Sequence, residues 1–375
     1  MRIRIPFLRL PVSDPSLVRD SQHQIAKVIA RGRFILGEQV LRFEKEFAAF
    51  CGARWSVGVG NGTEALLIAL RLSGIRPGAG QEVITTALTA AFTAHAIVAA
   101  GARPVFADVD SGTLLLDPAA ARRRITTRTA AIVPVHLYGA SCDLAAFGTL
   151  ARESRAVLIQ DAAQAHGTTF RGRPLSDFSD WLAYSFYPTK NLGAWGDGGA
   201  LVTNQRNLAE AARRFRDGGR RKGHSAETEG INSRLDELQA AILRVSLGHL
   251  KQWNRKREQL AALYDRLLGE MAPGRIQPLA SPAQSRSCHH LYVIRTSRRE
   301  ALRQFLQDRG IETAIHYEKP LHLQRAFRGL GYLKGDFPQA ERAAREILSL
   351  PLHPWLSEQE VQQVAQEIGN FCKRS

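Results

Sequence analysis

Long hydrophobic runs are missing from this 375-residue chain, and so is a basic-then-apolar leader at its start. Every apolar stretch is broken by charge well before the roughly 20 residues that span a bilayer. A soluble, cytoplasmic protein with no membrane partner is expected. Cysteine is scarce and dispersed: Cys51, Cys142, Cys288 and Cys372 form no CxxC and have no histidines at zinc spacing. That excludes zinc modules of this kind and a disulfide framework, and leaves free thiols and no metal as the expectation. Acidic residues are in deficit, 35 against 51 Lys and Arg, for a net charge of +16. Nucleic acid is one use for such an excess. The basic residues, however, fall in short groups, ARRR (121–124), RRFR (213–216) and GRRKGH (219–224), with no helix-turn-helix, zinc-finger or RRM pattern around them. A solvated surface that concentrates small anions near a cleft fits better, with no nucleic-acid partner.

What is present is an alternation. Between residues 55 and 203, short runs rich in Val, Ile and Ala (WSVGVG, EVITT, PVFADV, AAIVPVHLY, AVLIQDAA, WLAYSFY, GALVTN) alternate with helix-forming segments. Runs with little polar alternation are strands buried on both faces, and seven such runs predict an α/β unit: a largely parallel sheet with helices on both sides. After residue 233 a long helix-forming stretch reads as a connector, with Gly248 as a bend. Beyond it LYVIRT, the helix RREALRQFLQDRG, the strand-like IETAIHY and helices at 340–349 and 357–371 predict a smaller α/β unit. The expected division is 1–245, including the N-terminal segment, and 246–375.

In such sheets ligands bind beyond the carboxyl ends of the strands, so the loops there carry the chemistry. The first is GNGTEAL (60–66), where Gly62 frees the backbone and Thr63 and Glu64 open a helix. Exposed N–H groups at a helix start suit a phosphate, although on this motif alone a plain N-cap with a tight turn is the favoured reading. The second is IQDAAQAHG (159–167): Asp161 leaves a buried strand and needs a cation, a cap or a ligand, with Gln164 and His166 behind it. The third is SFYPTKNLGAWGDGG (185–199), which sends Ser185, Tyr187 and Lys190 out at the same edge. Its glycines read as clearance for a flat group. A lysine, a carboxylate, hydroxyls, a helix start and room for a planar ring are what pyridoxal phosphate requires: the lysine forms the aldimine, and the carboxylate keeps the pyridine nitrogen protonated.

With these motifs in place, the sequence resembles the DegT/DnrJ/EryC1/StrS family of fold-type-I aminotransferases that act on nucleotide-linked keto-sugars. The resemblance runs over nearly the whole chain and is most specific at DAAQAHG, SFYPTKNLG and NSRLDELQAAIL. It implies that Lys190 is the aldimine lysine and Asp161 the partner of the pyridine nitrogen. It implies that Gln164 touches the ring and its phenolic oxygen, that Gly62, Thr63, Glu64 and Ser185 cradle the phosphate, and that Asn232 reaches the phosphate of a neighbouring subunit in a homodimer. LTAAF puts Ala90 where many relatives carry a ring-packing aromatic, with Phe92 two residues later, and HYEKPLH brings Glu318 and Lys319 into the expected substrate loop.

The expected reaction takes an amino group from glutamate or glutamine and delivers it to a keto group of a dTDP- or UDP-linked deoxy sugar, at C3 by the form of GINSRLDELQA. Arg220, Arg221 and Lys222 are candidate diphosphate contacts, and Tyr187, His316, Tyr317 and His322 candidate sugar contacts. A dehydratase of the same fold and a non-catalytic regulator that uses the pocket as a sensor are the alternatives.

Overall fold

The computed structural model describes residues 4–221 and 225–373. Strands β1 (Trp55–Val59), β2 (Glu82–Thr86), β3 (Arg103–Ala107), β4 (Thr129–Val133), β5 (Val157–Asp161), β6 (Trp181–Ser185) and β7 (Gly199–Thr203) form one sheet in the order β1-β7-β6-β5-β4-β2-β3. Neighbours from β6 to β3 are parallel, whereas β7 runs antiparallel to both β1 and β6. The cause is the connection. A loop without a crossover helix joins β6 to β7, and such a link returns the chain antiparallel.

Both faces of the sheet are covered. Trp181, Ala183 and Leu201 point into a core shared with the helices Gly62–Leu72 and Arg206–Phe215. Leu182, Tyr184, Ala200 and Val202 point the other way, into a core with the helix Glu38–Phe50 and the start of the helix Glu237–Met271. The two-residue alternation of a strand thus divides one apolar run between two cores. Glu237 ties this second layer together: its buried carboxylate accepts the N–H groups of Gly37, Gln39 and Val40 at 2.9, 2.9 and 2.8 Å. These are the open donors at the start of the helix Glu38–Phe50.

The helix Glu237–Met271 runs unbroken through Gly248, where a bend was expected. Its first half buries Ala240, Leu243, Leu250 and Trp253 in the large core, and its second half buries Leu260, Tyr264, Leu267 and Leu268 in the core of the C-terminal unit. The expected boundary at 245/246 therefore falls inside a single helix. The first described residues also differ from expectation: Ile5 packs in the C-terminal core, Glu312 N–H donates to its carbonyl, and Arg9 pairs with Glu360 at 2.6 Å.

The C-terminal unit holds a three-stranded antiparallel sheet, β8 (Gln277–Pro278), β9 (Tyr292–Arg295) and β10 (Ile347–Leu350), in that order. Two expectations fail here. IETAIHY makes isolated bridges at Ile311 and Ala314 and no strand. The helix expected over 340–349 is Pro338–Glu346, after which ILSL turns into β10, buried along its length. Four residues packed between β9 and the helix behind it are too few to show a period.

Candidate active site

The sheet register sets the site. Gly199, at the start of β7, lies opposite Val59 of β1 on one side and Ser185 of β6 on the other, while Asp161 lies opposite Ala183. The loop that leaves β1 is held from behind by a buried ion pair: Glu44 accepts from Arg216 at 2.5 Å and from Gly58 N–H at 2.9 Å, and Arg216 also donates to the Gly58 carbonyl. A Cβ at Gly199 would stand 2.4 Å from the carbonyl carbon of Asn61, and one at Gly62 would stand 2.7 Å from the Cβ of Ser185. Only glycine lets the helix start close onto Ser185.

Asn61 is the N-cap of the helix Gly62–Leu72 and accepts the Glu64 N–H at 2.9 Å. This corrects the expectation for Glu64, whose amide is already engaged; its side chain accepts the hydroxyl of Ser233, which in turn accepts Gly60 N–H at 3.0 Å. Among the described residues the N–H groups of Gly62 and Thr63 have no protein acceptor. Two free donors at a helix start, beside the hydroxyls of Thr63 and Ser185, form a cradle for an anion.

Asp161 is 4 % exposed. Its Oδ2 accepts the hydroxyl of Thr93 at 2.8 Å and its Oδ1 accepts Ala163 N–H at 3.1 Å. Burial pushes its carboxyl above the ordinary range, and Thr93, Ala163 and the charge of Lys190 oppose that shift. Lys190 stands partly exposed in the turn after β6, with its N–H donating to the Tyr187 carbonyl at 2.8 Å. Burial pulls its amine down to about 8, with Asp161 pulling the other way. Asp161 and Lys190 thus leave neighbouring strands at the same edge of the sheet.

Gln164 links this centre to the C-terminal unit. Its Oε1 accepts Tyr138 N–H at 2.6 Å, and its Nε2 donates to the Tyr317 hydroxyl at 3.3 Å. Tyr138 in turn donates to the carbonyl of His316, whose ring bonds Ser349 at 2.9 Å and stacks on Phe7. Burial first, and then the nearby Lys190, lower His316 to about 4; burial and the Asp161 charge raise Tyr317 to about 12 despite the Gln164 bond. Both are neutral at pH 7. Under the lysine turn, Asn191 donates to Asn254 and to the Cys288 carbonyl, both at 3.0 Å, and pairs with the buried His290 at 3.1 Å. His166 is buried among Phe47, Tyr184 and Phe186 and is a packing residue.

Several expectations change. The glycines after Lys190 make room for the chain itself: a Cβ at Gly193 would meet the Pro188 carbonyl at 2.4 Å, one at Gly196 the Gln239 amide, and one at Gly198 Leu235 and Phe186. His322 does not line the mouth. It is buried against Phe337 and bonds Glu341 at 3.0 Å, because the short turn Leu321–Leu323 is drawn into the core beside Leu321. Phe92 is 66 % exposed on the helix Ala91–Ala99 and Ala90 is the N-cap of that helix. Tyr187 is 53 % exposed. Arg220 bonds Asp217 at 2.6 Å, and Arg234 shares the same oxygen at 3.0 Å; although burial opposes it, these two hold the Asp217 carboxyl low. Arg220, Arg234 and Asn232 line a separate open cavity of about 450 Å³. Lys222 lies outside the described residues.

Thr93, Tyr138, Asn191 and His290 also belong to the site, and no sequence motif marks them together. Only the hydroxyl in the first turn after β2, at the same sheet edge as Asp161, offered a signal for Thr93. The residues present fit pyridoxal phosphate: an anion cradle that a Cβ would close, an amine able to lose its proton near neutrality, and a buried carboxylate that retains lone pairs and lacks full cationic compensation.

Residues 15–369 match the DegT/DnrJ/EryC1/StrS aminotransferase family. The chain is 43 % identical over 372 residues, 99 % of each chain, to a pleiotropic regulatory protein of Geobacillus stearothermophilus. It is 43 % identical over 371 residues, 99 % of this chain and 97 % of the other, to the dTDP-3-amino-3,4,6-trideoxy-alpha-D-glucose transaminase of Streptomyces venezuelae. The crystal structure of S. venezuelae DesV in complex with a ketimine intermediate covers all of both chains with a TM-score of 0.96 at 41 % identity.

In cofactor-free protein, acylation of Lys190 followed by peptide mass should rise with a midpoint near pH 8, as the amine loses its proton there. Asp161→Asn, which removes the attraction that favours the ammonium, should move the midpoint lower. A midpoint at the ordinary lysine value of 10.5 would contradict the site's electrostatics.

Proposed function

The chain belongs to the DegT/DnrJ/EryC1/StrS aminotransferase family, and from that membership and its site we propose that it is a pyridoxal-phosphate-dependent aminotransferase of nucleotide-linked keto-sugars. The observation that carries the reading is the placement of Lys190, in the turn after β6, and of Asp161, at the end of the neighbouring β5, at one sheet edge beside a free helix start. When bound, the cofactor supplies an aldehyde that carries nitrogen and a ring that takes up electrons.

The chain's own residues do the rest. Gly62 and Thr63 N–H groups and the Ser185 hydroxyl bind the phosphate. Asp161 holds a proton on the ring nitrogen. Gln164, fixed by Tyr138, orients the ring's phenolic edge. Lys190 would hold the cofactor, and its Nζ would move a proton to and from the substrate carbon; an amine of pKa about 8 can both accept and donate near neutrality. Tyr317 and His316, neutral and hydrogen-bonding, face the same centre from the C-terminal unit and orient the sugar.

Glutamate or glutamine is the amino donor in this reading, and the acceptor is a dTDP- or UDP-linked sugar with a keto group at C3; the similarity to the S. venezuelae transaminase supports that choice. Arg220 is a diphosphate contact from a second copy of the chain, with Asn232 beside it on the phosphate. A homodimer fits the large apolar side chains left exposed on the helices Pro15–Arg31 and Glu38–Phe50 and the segment between them, Ile29, Phe34, Ile35 and Leu41. The regulator alternative draws on the G. stearothermophilus relative's name. An intact Lys190 and Asp161 favour catalysis.

Two experiments test this. Incubation with a panel of keto-sugar nucleotides and glutamate or glutamine, read by mass, should give an aminated product with the wild type and none with Lys190→Ala. No product from any member of the panel would favour the regulator, and a dehydrated product the dehydratase. Sedimentation should give twice the chain mass; a monomer would remove Asn232 and Arg220 from the site.

A further inference from the structure

A threonine in a helix can return its hydroxyl to a carbonyl one turn back. Thr93 does not. It sits in the first turn of the helix Ala91–Ala99, 2 % exposed, and its hydroxyl crosses to Asp161 Oδ2 at 2.8 Å. The other carboxylate oxygen takes Ala163 N–H from the turn after β5 at 3.1 Å. One donor is therefore backbone and local to Asp161, and the other is a side chain carried in from the far side of β4 on a separate element. Each oxygen is left with capacity for one more donor.

We propose that Thr93 is a positioning residue for cofactor chemistry, fixing the rotation of the Asp161 carboxylate and keeping its negative charge available to the ring nitrogen. The proposal rests on the role given above to Asp161. A buried carboxylate with only one donor has a second oxygen free to rotate away and is more basic, so a proton shared with the ring nitrogen moves toward the carboxylate. The ring then loses the positive charge that makes it accept electrons. A hydroxyl bonded to a charged group is the stronger class of hydrogen bond, and at this depth its loss leaves an uncompensated oxygen. Threonine is also stiffer at χ1 than serine, so its hydroxyl is delivered in one direction.

The test uses Thr93→Val, which keeps shape and burial and removes the donor, and Thr93→Ser, which keeps the donor. Thr93→Val should raise the dissociation constant for pyridoxal phosphate about tenfold, the scale of one charge-assisted bond, shift the long-wavelength absorbance of the bound cofactor, and lower kcat more than it changes KM. Thr93→Ser should restore most of all three. In an Asp161→Asn background the valine should add less than about twofold, since residues acting through one another are not additive. If Asp161→Asn changes cofactor affinity and absorbance while Thr93→Val changes neither, the proposal for Thr93 is wrong and the role of Asp161 stands. If Asp161→Asn itself leaves both unchanged, the Asp161 role fails first. An equal loss with Val and Ser, accompanied by a lower unfolding temperature, would make Thr93 a packing residue only.

Discussion

A carboxylate buried at the end of a strand is costly unless something nearby is positive. Asp161 meets that condition in part. Its own turn and Thr93 supply two hydrogen bonds, and the partly exposed Lys190 supplies charge, yet its carboxyl still titrates above the usual range. Lys190 is in the complementary position, an amine that burial has brought down to about 8 while the carboxylate pulls it up. Neither group is at rest without a third. A protonated ring nitrogen against Asp161 and an aldehyde at Lys190 would relieve both, which is why the remaining features of the edge, the glycine at 62 and the open helix start, make sense together.

The scaffold serves that edge. The antiparallel β7 lies between β1 and β6 and brings Gly199 beneath the loop of Asn61 and Gly62, so the cradle and the lysine turn are neighbours although far apart in sequence. Glu44 and Arg216 hold the approach to the cradle from below, and Asn191 with Asn254, His290 and Cys288 holds the lysine turn. The C-terminal unit reaches the centre through Gln164, which is bonded to Tyr138 on one side and to Tyr317 on the other. A helix of 35 residues, buried first in one core and then in the other, fixes the two units to each other.

The seven strands were legible because both-faced burial leaves unbroken apolar runs, and Lys190 and Asp161 because charged groups at the ends of such runs demand an explanation. Other features depend on pairings that no local pattern encodes. Thr93 finds its partner 68 residues away. The Glu64 amide is capped by Asn61, a side-chain bond that the GNGTEAL pattern does not distinguish from an open donor. The glycines at 193, 196 and 198 are required by Pro188, Gln239, Leu235 and Phe186, and not by space for a ring. His322 follows a motif into the core and not to the mouth. β10 is four residues long and became legible only once β9 was beside it.

The central claim is that Lys190 carries the cofactor. Treating the protein loaded with pyridoxal phosphate with a hydride reductant and mapping peptides by mass tests it most directly. The cofactor's mass should be fixed to the peptide containing Lys190 and to no other. A stable adduct on a different lysine, with Lys190 unmodified, would contradict the account.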